Sequence, residues 1–237
     1  MSAGPRVAPI AFAHRGASGY LPENTLPAFR LALEQGAQGI ESDVWLSRDG
    51  VPVLVHDRLL RRDGRRQSVT NLSVAQLEEH GVPTLADLYA DCGVAFELSL
   101  DIESPDVTDA VLHVANEAGA TLRLWACHDD LELLRGLRAR SADVRLVCST
   151  DLEPGRLDAL LPHLVDVGVH ALNLRWSGWD AAMVEAVHAS SILAFGWDAH
   201  RSPRVARLLD LGVDAIYSDF PDQLVEQIQA WTDVSPG

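Results

Sequence analysis

The sequence predicts an α/β fold: a (β/α)8 TIM barrel with a β-hairpin and a small insertion after its second strand. Three observations carry that expectation. Nine short runs rich in apolar and β-branched residues recur along the 237-residue chain, with helical patterns between most of them. The second and third runs, Gly39–Leu46 and Val51–His56, are separated only by Ser47-Arg48-Asp49-Gly50. A parallel pair needs a crossover of roughly a dozen residues, so these two form an antiparallel hairpin and eight strands are left for a barrel. No Gly-rich phosphate loop follows the first strand, which argues against a doubly wound open sheet.

The elements follow in order. Ile10–His14 is the first strand. Asn24-Thr25 then opens a helix carrying Leu26, Phe29, Leu31 and Leu33, and Gly36 stops it. In the hairpin, a turn over residues 47–50 pairs Leu46 with Val51, Asp43 with Leu54 and Glu41 with His56. The connection from Arg58 to Pro83 reads as irregular. It is rich in arginine and contains one short helix opened by Ser73-Val74-Ala75-Gln76, a capping-box pattern. The later strands are Ala95–Glu103, Leu122–Cys127, Val144–Ser149, Ala171–Arg175, Ile192–Trp197 and Ala215–Ser218. Pro105 marks one helix start. Ser202-Pro203 reads as a cap with proline behind it, and Gly212 closes that helix. No repeat or linker interrupts the pattern, so residues 1–237 read as one domain with an insertion at about 57–83 and a tail from Asp233 that frays.

Composition narrows the function. Apolar residues make up 47% and charged residues 22%, enough for a sizeable core. The formal charge is −15, from 19 basic and 34 acidic residues, and every basic residue is arginine. An acidic surface of this size disfavours nucleic acid and anionic membranes as partners. No apolar run approaches the ~20 residues of a membrane span, and none resembles a signal peptide. Cys92, Cys127 and Cys148 fit no metal pattern or disulfide framework. A cytoplasmic protein acting on a small molecule is expected.

In such barrels, functional side chains gather at the C-terminal ends of strands. Those ends carry His14-Arg15-Gly16, Glu41-x-Asp43, His56-Asp57 and Asp101-x-Glu103. Spacing by two puts each carboxylate pair on one strand face. Four converging carboxylates repel unless a cation sits between them, and oxygen ligands point to one divalent cation, Mg²⁺ or Ca²⁺. His14 and His56 flank that cluster as an acid/base pair for phosphate-ester cleavage, and Arg15 is placed to hold the anion. His80, His113, His163, His170, His188 and His200 lie in helices or loops and receive no role. Trp125, Trp176 and Trp179 read as packing residues.

His14-Arg15-Gly16, Pro22-Glu23-Asn24-Thr25 with Ala28-Phe29, Gly36-Ala37, Glu41-x-Asp43-Val44, Asp49-Gly50-Val51 and His56-Asp57 occur in that order. This set resembles the glycerophosphodiester phosphodiesterases. Pro83-Thr84-Leu85, Ala194–Asp198 and Gly212–Pro221 extend the resemblance over about residues 9–228. It implies a (β/α)8 barrel with a small insertion near strand two. It also implies metal-dependent hydrolysis of glycerophosphodiesters to sn-glycerol 3-phosphate and an alcohol. His14 and His56 would be the acid/base pair, Arg15 a phosphate contact, Glu41 and Asp43 metal ligands, and Trp197 part of the pocket wall.

Two departures stand out. The family's Glu-x-Lys block is Asp101-Ile102-Glu103 here. Asp101 can still ligate the metal, whereas Glu103 reverses the charge of the expected phosphate-binding lysine. Arg61-Arg62-Asp63 replaces the Arg-Thr-Thr that usually follows the His-Asp motif. Two alternatives follow. One is a phosphodiesterase with a shifted substrate, such as a lysophospholipid, in which Glu103 meets a cationic headgroup. The other is a catalytically impaired barrel that only binds a metal or ligand.

Overall fold

The apolar runs form strands as the alternation requires. They are β1 (Ile10–His14), β2 (Gly39–Leu46), β3 (Pro52–Leu54), β4 (Leu59–Arg62), β5 (Arg65–Ser68), β6 (Glu97–Ile102), β7 (Leu124–His128), β8 (Arg145–Ser149), β9 (Ala171–Arg175), β10 (Leu193–Trp197) and β11 (Ala215–Ser218). The structure, a computed structural model, describes residues 7–62, 65–153 and 155–233, without the side chain of Arg62. Asp63 and the tail beyond Asp233 lie outside the described residues.

The sheet runs β1-β11-β10-β9-β8-β7-β6-β2, and a β1–β2 pairing closes it. All eight strands are parallel, giving a closed (β/α)8 barrel. Helices return the chain between strands: α1 (Leu26–Glu34), α2 (Val74–Glu78), α3 (Leu85–Cys92), α4 (Thr108–Glu117), α5 (Leu131–Arg140), α6 (Leu157–Val167), α7 (Ala181–Ala189), α8 (Ser202–Leu211) and α9 (Pro221–Asp233). Among the described residues no helix is long and apolar enough to cross a membrane.

Strand alternation divides the core in two. Ala11, Leu98, Leu100, Leu146, Leu172 and Ile216 pack outward against the helices. Phe12, Trp125, Val147, Ala171, Phe195 and Tyr217 fill the barrel interior. Phe12 stacks on Tyr217 with ring centroids 4.8 Å apart. A Cβ at Gly39 would lie 2.4 Å from the Phe12 ring, so only glycine fits beside it. Burying each such side chain is worth about 1.5–3 kcal/mol. The filled interior leaves the strand ends as the place for a site.

The hairpin differs from the sequence expectation by one residue. Val44 pairs with Leu54, Trp45 with Val53 and Leu46 with Pro52. The cause is the turn. Ser47 N–H donates to the Val51 carbonyl, and Gly50 adopts the left-handed conformation at φ +79°. A three-residue loop with a glycine bulge therefore replaces the assumed four-residue one. His56 consequently lies beyond the last paired residue and does not face Glu41.

The insertion is more regular than expected. β4 and β5 form a second antiparallel hairpin, with Arg61 opposite Arg66. Like charges face to face are unfavourable, and this polar run shows no apolar alternation. A small core of Trp45, Val53, Val69, Leu72, Leu77 and Val82 ties the insertion to β2. The capping box of α2 forms as expected. α8 begins at Ser202 itself, one residue earlier than the sequence reading, with Arg201 at the cap position and no side-chain cap.

Candidate functional site

β2 and β6 pair in register, Asp43 opposite Asp101, so Glu41, Asp43 and Asp101 point into the same mouth. One carboxylate oxygen from each lies within 4.8 Å of the others. Glu41 and Asp43 are only 4% and 3% exposed. Burial, together with the Asp43 and Asp101 charges, holds the Glu41 carboxyl well above the usual carboxylate range. Burial and the Asp43 and Glu103 charges push Asp101 up to about 7. Desolvated like charges gathered this closely make a site suited to a hard cation.

The turn after β1 wraps the cluster. Arg15 adopts φ 55° and Gly16 φ 78°, and a Cβ at Gly16 would strike the Ala28 backbone at 2.8 Å. This strained turn aims the Arg15 N–H at Glu41 Oε2, 2.9 Å away. The guanidinium lies 3.2 Å from Asp43 Oδ2 and 3.1 Å from Glu23. His14 places Nε2 3.8 Å from Glu41 Oε2, while its Nδ1 makes a 2.7 Å hydrogen bond with Asp219 Oδ1.

The remaining sequence candidates spread around the rim. His56 is 44% exposed and sits 3.2 Å from Asp57. Glu103 hydrogen-bonds through its backbone N–H to the Val44 carbonyl. Burial and the Asp43 charge raise its pKa, opposed by His56 and Arg15. Asp101, Glu103, His128, Asp129 and Ser149 line a hollow of about 230 Å³. Trp197 ends β10, directly across the barrel from β6, with the Arg175 guanidinium 5.9 Å from its ring centre.

A parallel barrel with this mouth invites comparison with known proteins. Residues 14–223 match the Glycerophosphoryl diester phosphodiesterase family. The chain belongs to that family. It is 27% identical to the glycerophosphodiester phosphodiesterase of Bacillus altitudinis, over 91% of this chain and 96% of that one. Solved structures share its fold. A glycerophosphodiester phosphodiesterase from Thermotoga maritima superposes with a TM-score of 0.81 at 22% identity, covering 93% of this chain and 98% of that one. A phosphodiesterase from Oleispira antarctica, in complex with the product sn-glycerol-3-phosphate, gives 0.82 at 23% identity, covering 94% and 97%. The chain is accordingly a phosphodiester hydrolase of the glycerophosphodiester phosphodiesterase family.

Several side chains at the mouth of this family member escaped the sequence reading. Asn24, 4% exposed and at φ 54°, donates to Asp43 Oδ2 at 3.0 Å and accepts from the Ser42 hydroxyl at 2.6 Å. It thereby orients Asp43. The Pro22-Glu23-Asn24-Thr25 block was visible, and asparagine's tolerance of left-handed backbone was the available signal. Asp219 lies within the Gly212–Pro221 block and received no role, yet it holds His14. His200, given no role, packs its ring 5.8 Å from that of His14. Trp125 and Trp179, 2% and 1% exposed, pack as expected.

Proposed function

We propose that the chain hydrolyses glycerophosphodiesters to sn-glycerol 3-phosphate and an alcohol, with one divalent cation and a histidine acid/base pair. The convergence of Glu41, Asp43 and Asp101 at the C-terminal mouth carries this reading. All three donors are carboxylate oxygens, which suits Mg²⁺ or Ca²⁺. A cation bound there supplies positive charge that polarises the phosphoryl oxygens.

The chain's own side chains supply the rest. Arg15 takes a non-bridging phosphate oxygen with its guanidinium, which the strained turn holds beside the carboxylates. His14 comes from β1, and His56 from the segment after β3. One accepts a proton from the nucleophile, either water or the neighbouring glycerol hydroxyl, and the other protonates the leaving alkoxide. Trp197 walls the far side of the mouth. The free Cys92, Cys127 and Cys148 support placing the reaction in a reducing cytoplasm.

A glycerol 3-phosphate release assay in Mg²⁺ or Ca²⁺, run with and without EDTA, tests the reading. Activity should require the ion, and His14→Ala and His56→Ala should each lose about 10²–10⁴-fold. Retained activity in both variants overturns the acid/base assignment.

A second feature concerns the leaving alcohol. Glu103 stands where the family resemblance expects lysine, and the 230 Å³ hollow beside it is lined by Asp101, Asp129 and His128 with no arginine. That favours an alcohol bearing an ammonium group over a neutral one. Glu103→Gln should raise KM for glycerophosphocholine several-fold and leave glycerophosphoglycerol unchanged. Equal effects on both substrates exclude the preference.

A further inference from the structure

Behind His14, away from the carboxylates, stands a row of side chains that the proposed reaction does not use. Asp219 Oδ1 lies 2.7 Å from His14 Nδ1. An ionised carboxylate only accepts hydrogen bonds, so the shared proton belongs to His14 Nδ1. Burial alone would raise the Asp219 pKa, but the hydrogen bond and charge of His14, with His200 and Ser18, lower it. With Nδ1 committed, Nε2 is left facing Glu41 and the mouth.

The next shell fixes Asp219. Its backbone N–H donates to His200 Nδ1 at 3.1 Å. That occupies the His200 lone pair and puts the ring proton on Nε2, 3.3 Å from Asp198 Oδ1. Asp198 is itself clamped. Arg175 reaches Oδ2 at 2.7 Å, Arg204 reaches Oδ1 at 3.0 Å, and the residue is held at φ 61°. Aspartate tolerates left-handed backbone better than most residues, and the two arginines hold it there. The chain of contacts therefore runs from two arginines through Asp198, His200 and Asp219 to the imidazole of His14.

We infer that Asp219 and His200 are positioning residues: Asp219 fixes His14 with its proton on Nδ1, and His200, seated on Asp198, holds the Asp219 backbone where it can do so. This rests on the proposed role of His14. Rotation or tautomer exchange of His14 would remove the lone pair from the mouth, and among the described residues no other contact to the ring prevents it as directly. The logic is that of an acid–histidine pair in which the carboxylate orients the ring without taking its proton.

Two measurements on the full-length, Mg²⁺-loaded protein test it. Nitrogen-15 NMR of labelled histidines, without substrate, should show His14 in the Nδ1–H form with that proton far downfield, and Asp219→Asn should lose the signal. In turnover of glycerophosphocholine, Asp219→Asn should lower kcat about 10²–10⁴-fold with KM nearly unchanged, as when an orienting carboxylate becomes an amide. Asp219→Glu should keep the tautomer and recover part of the rate. His200→Ala should cost about 10-fold in kcat, within the range for groups behind a reacting residue, while His200→Asn, which restores an acceptor for the Asp219 N–H, should recover most of it.

An Nε2–H form of His14 in the unaltered protein, or an Asp219→Asn variant with normal kcat, overturns the Asp219 assignment. Normal kcat in His200→Ala overturns that of His200. If the unaltered protein releases no glycerol 3-phosphate, the functional reading fails instead, and the NMR result still decides the tautomer.

Discussion

Glu97 and Asp101 stand on the same strand with both side chains turned into the barrel, yet their surroundings are opposite. Glu97, at the bottom, meets Arg123 at 3.1 Å, Arg145 at 3.0 Å and the Trp125 indole N–H at 2.7 Å. Arg145 also lies 4.6 Å over the Trp125 ring. The bottom carboxylate is thus neutralised and fully hydrogen-bonded, which makes it part of the scaffold. At the top, the Arg15 guanidinium contacts Asp43 and Glu23, and only its charge reaches Glu41 and Asp101. The carboxyl groups at the mouth are gathered by the fold with too little positive charge beside them, so they hold protons that a cation can replace.

Glu41→Gln should break this contrast most severely. It removes one of the proposed ion ligands and should cost roughly 10³-fold in metal-dependent turnover, measured as glycerol 3-phosphate release at saturating Mg²⁺.

The second largest effect concerns pH. Asp101 is raised to about 7 and Glu41 is raised as well. The folded metal-free protein therefore holds protons more tightly than the unfolded chain. The stability this contributes is present at acidic pH and is lost as pH rises through about 7. In EDTA, Tm should climb as the buffer goes from pH 8 to pH 6, each kcal/mol being worth about 2–4 °C for a chain of this size. Saturating Mg²⁺ should flatten that slope, because the ion replaces the proton. A metal-free Tm that falls over the same interval would mean the carboxylates are already compensated.

At the other end of the barrel, Glu97→Gln should leave turnover within about twofold and lower stability by about 1–3 kcal/mol, because two guanidinium groups lose their counter-charge and one acceptor oxygen becomes an NH2 donor. Urea unfolding measures this. Arg123→Ala should matter least. Its side chain is 52% exposed, and a solvated ion pair contributes about 0.5 kcal/mol or less.

Much of this arrangement was legible in the sequence. Period-two alternation in Gly39–Leu46 and Ala95–Glu103 placed the Glu41/Asp43 pair and Asp101 each on one strand face, because side-chain direction in a strand depends only on parity. His14 and Arg15 followed from their place at a strand end. His56 was misplaced because hairpin register depends on backbone torsions at Gly50, and a one-residue difference in the loop moves every partner. The β4–β5 hairpin was missed because arginines facing each other carry no strand pattern. Asp219 and His200 were out of reach for another reason. Their partnership with His14 spans 205 and 186 residues of sequence and exists only once the barrel closes.

That closure also sets an order of assembly. β1 finds β11 only after the last strand has been made, so the Asp219 contact to His14 is the final piece of the mouth to arrive. The carboxylates come from residues 41 to 101, within the first half of the chain. A chain emerging from the ribosome thus contains the residues of its acidic cluster long before it contains the carboxylate that contacts His14. A chain that stops before β11 carries the acidic residues of the mouth and lacks the contact that holds His14.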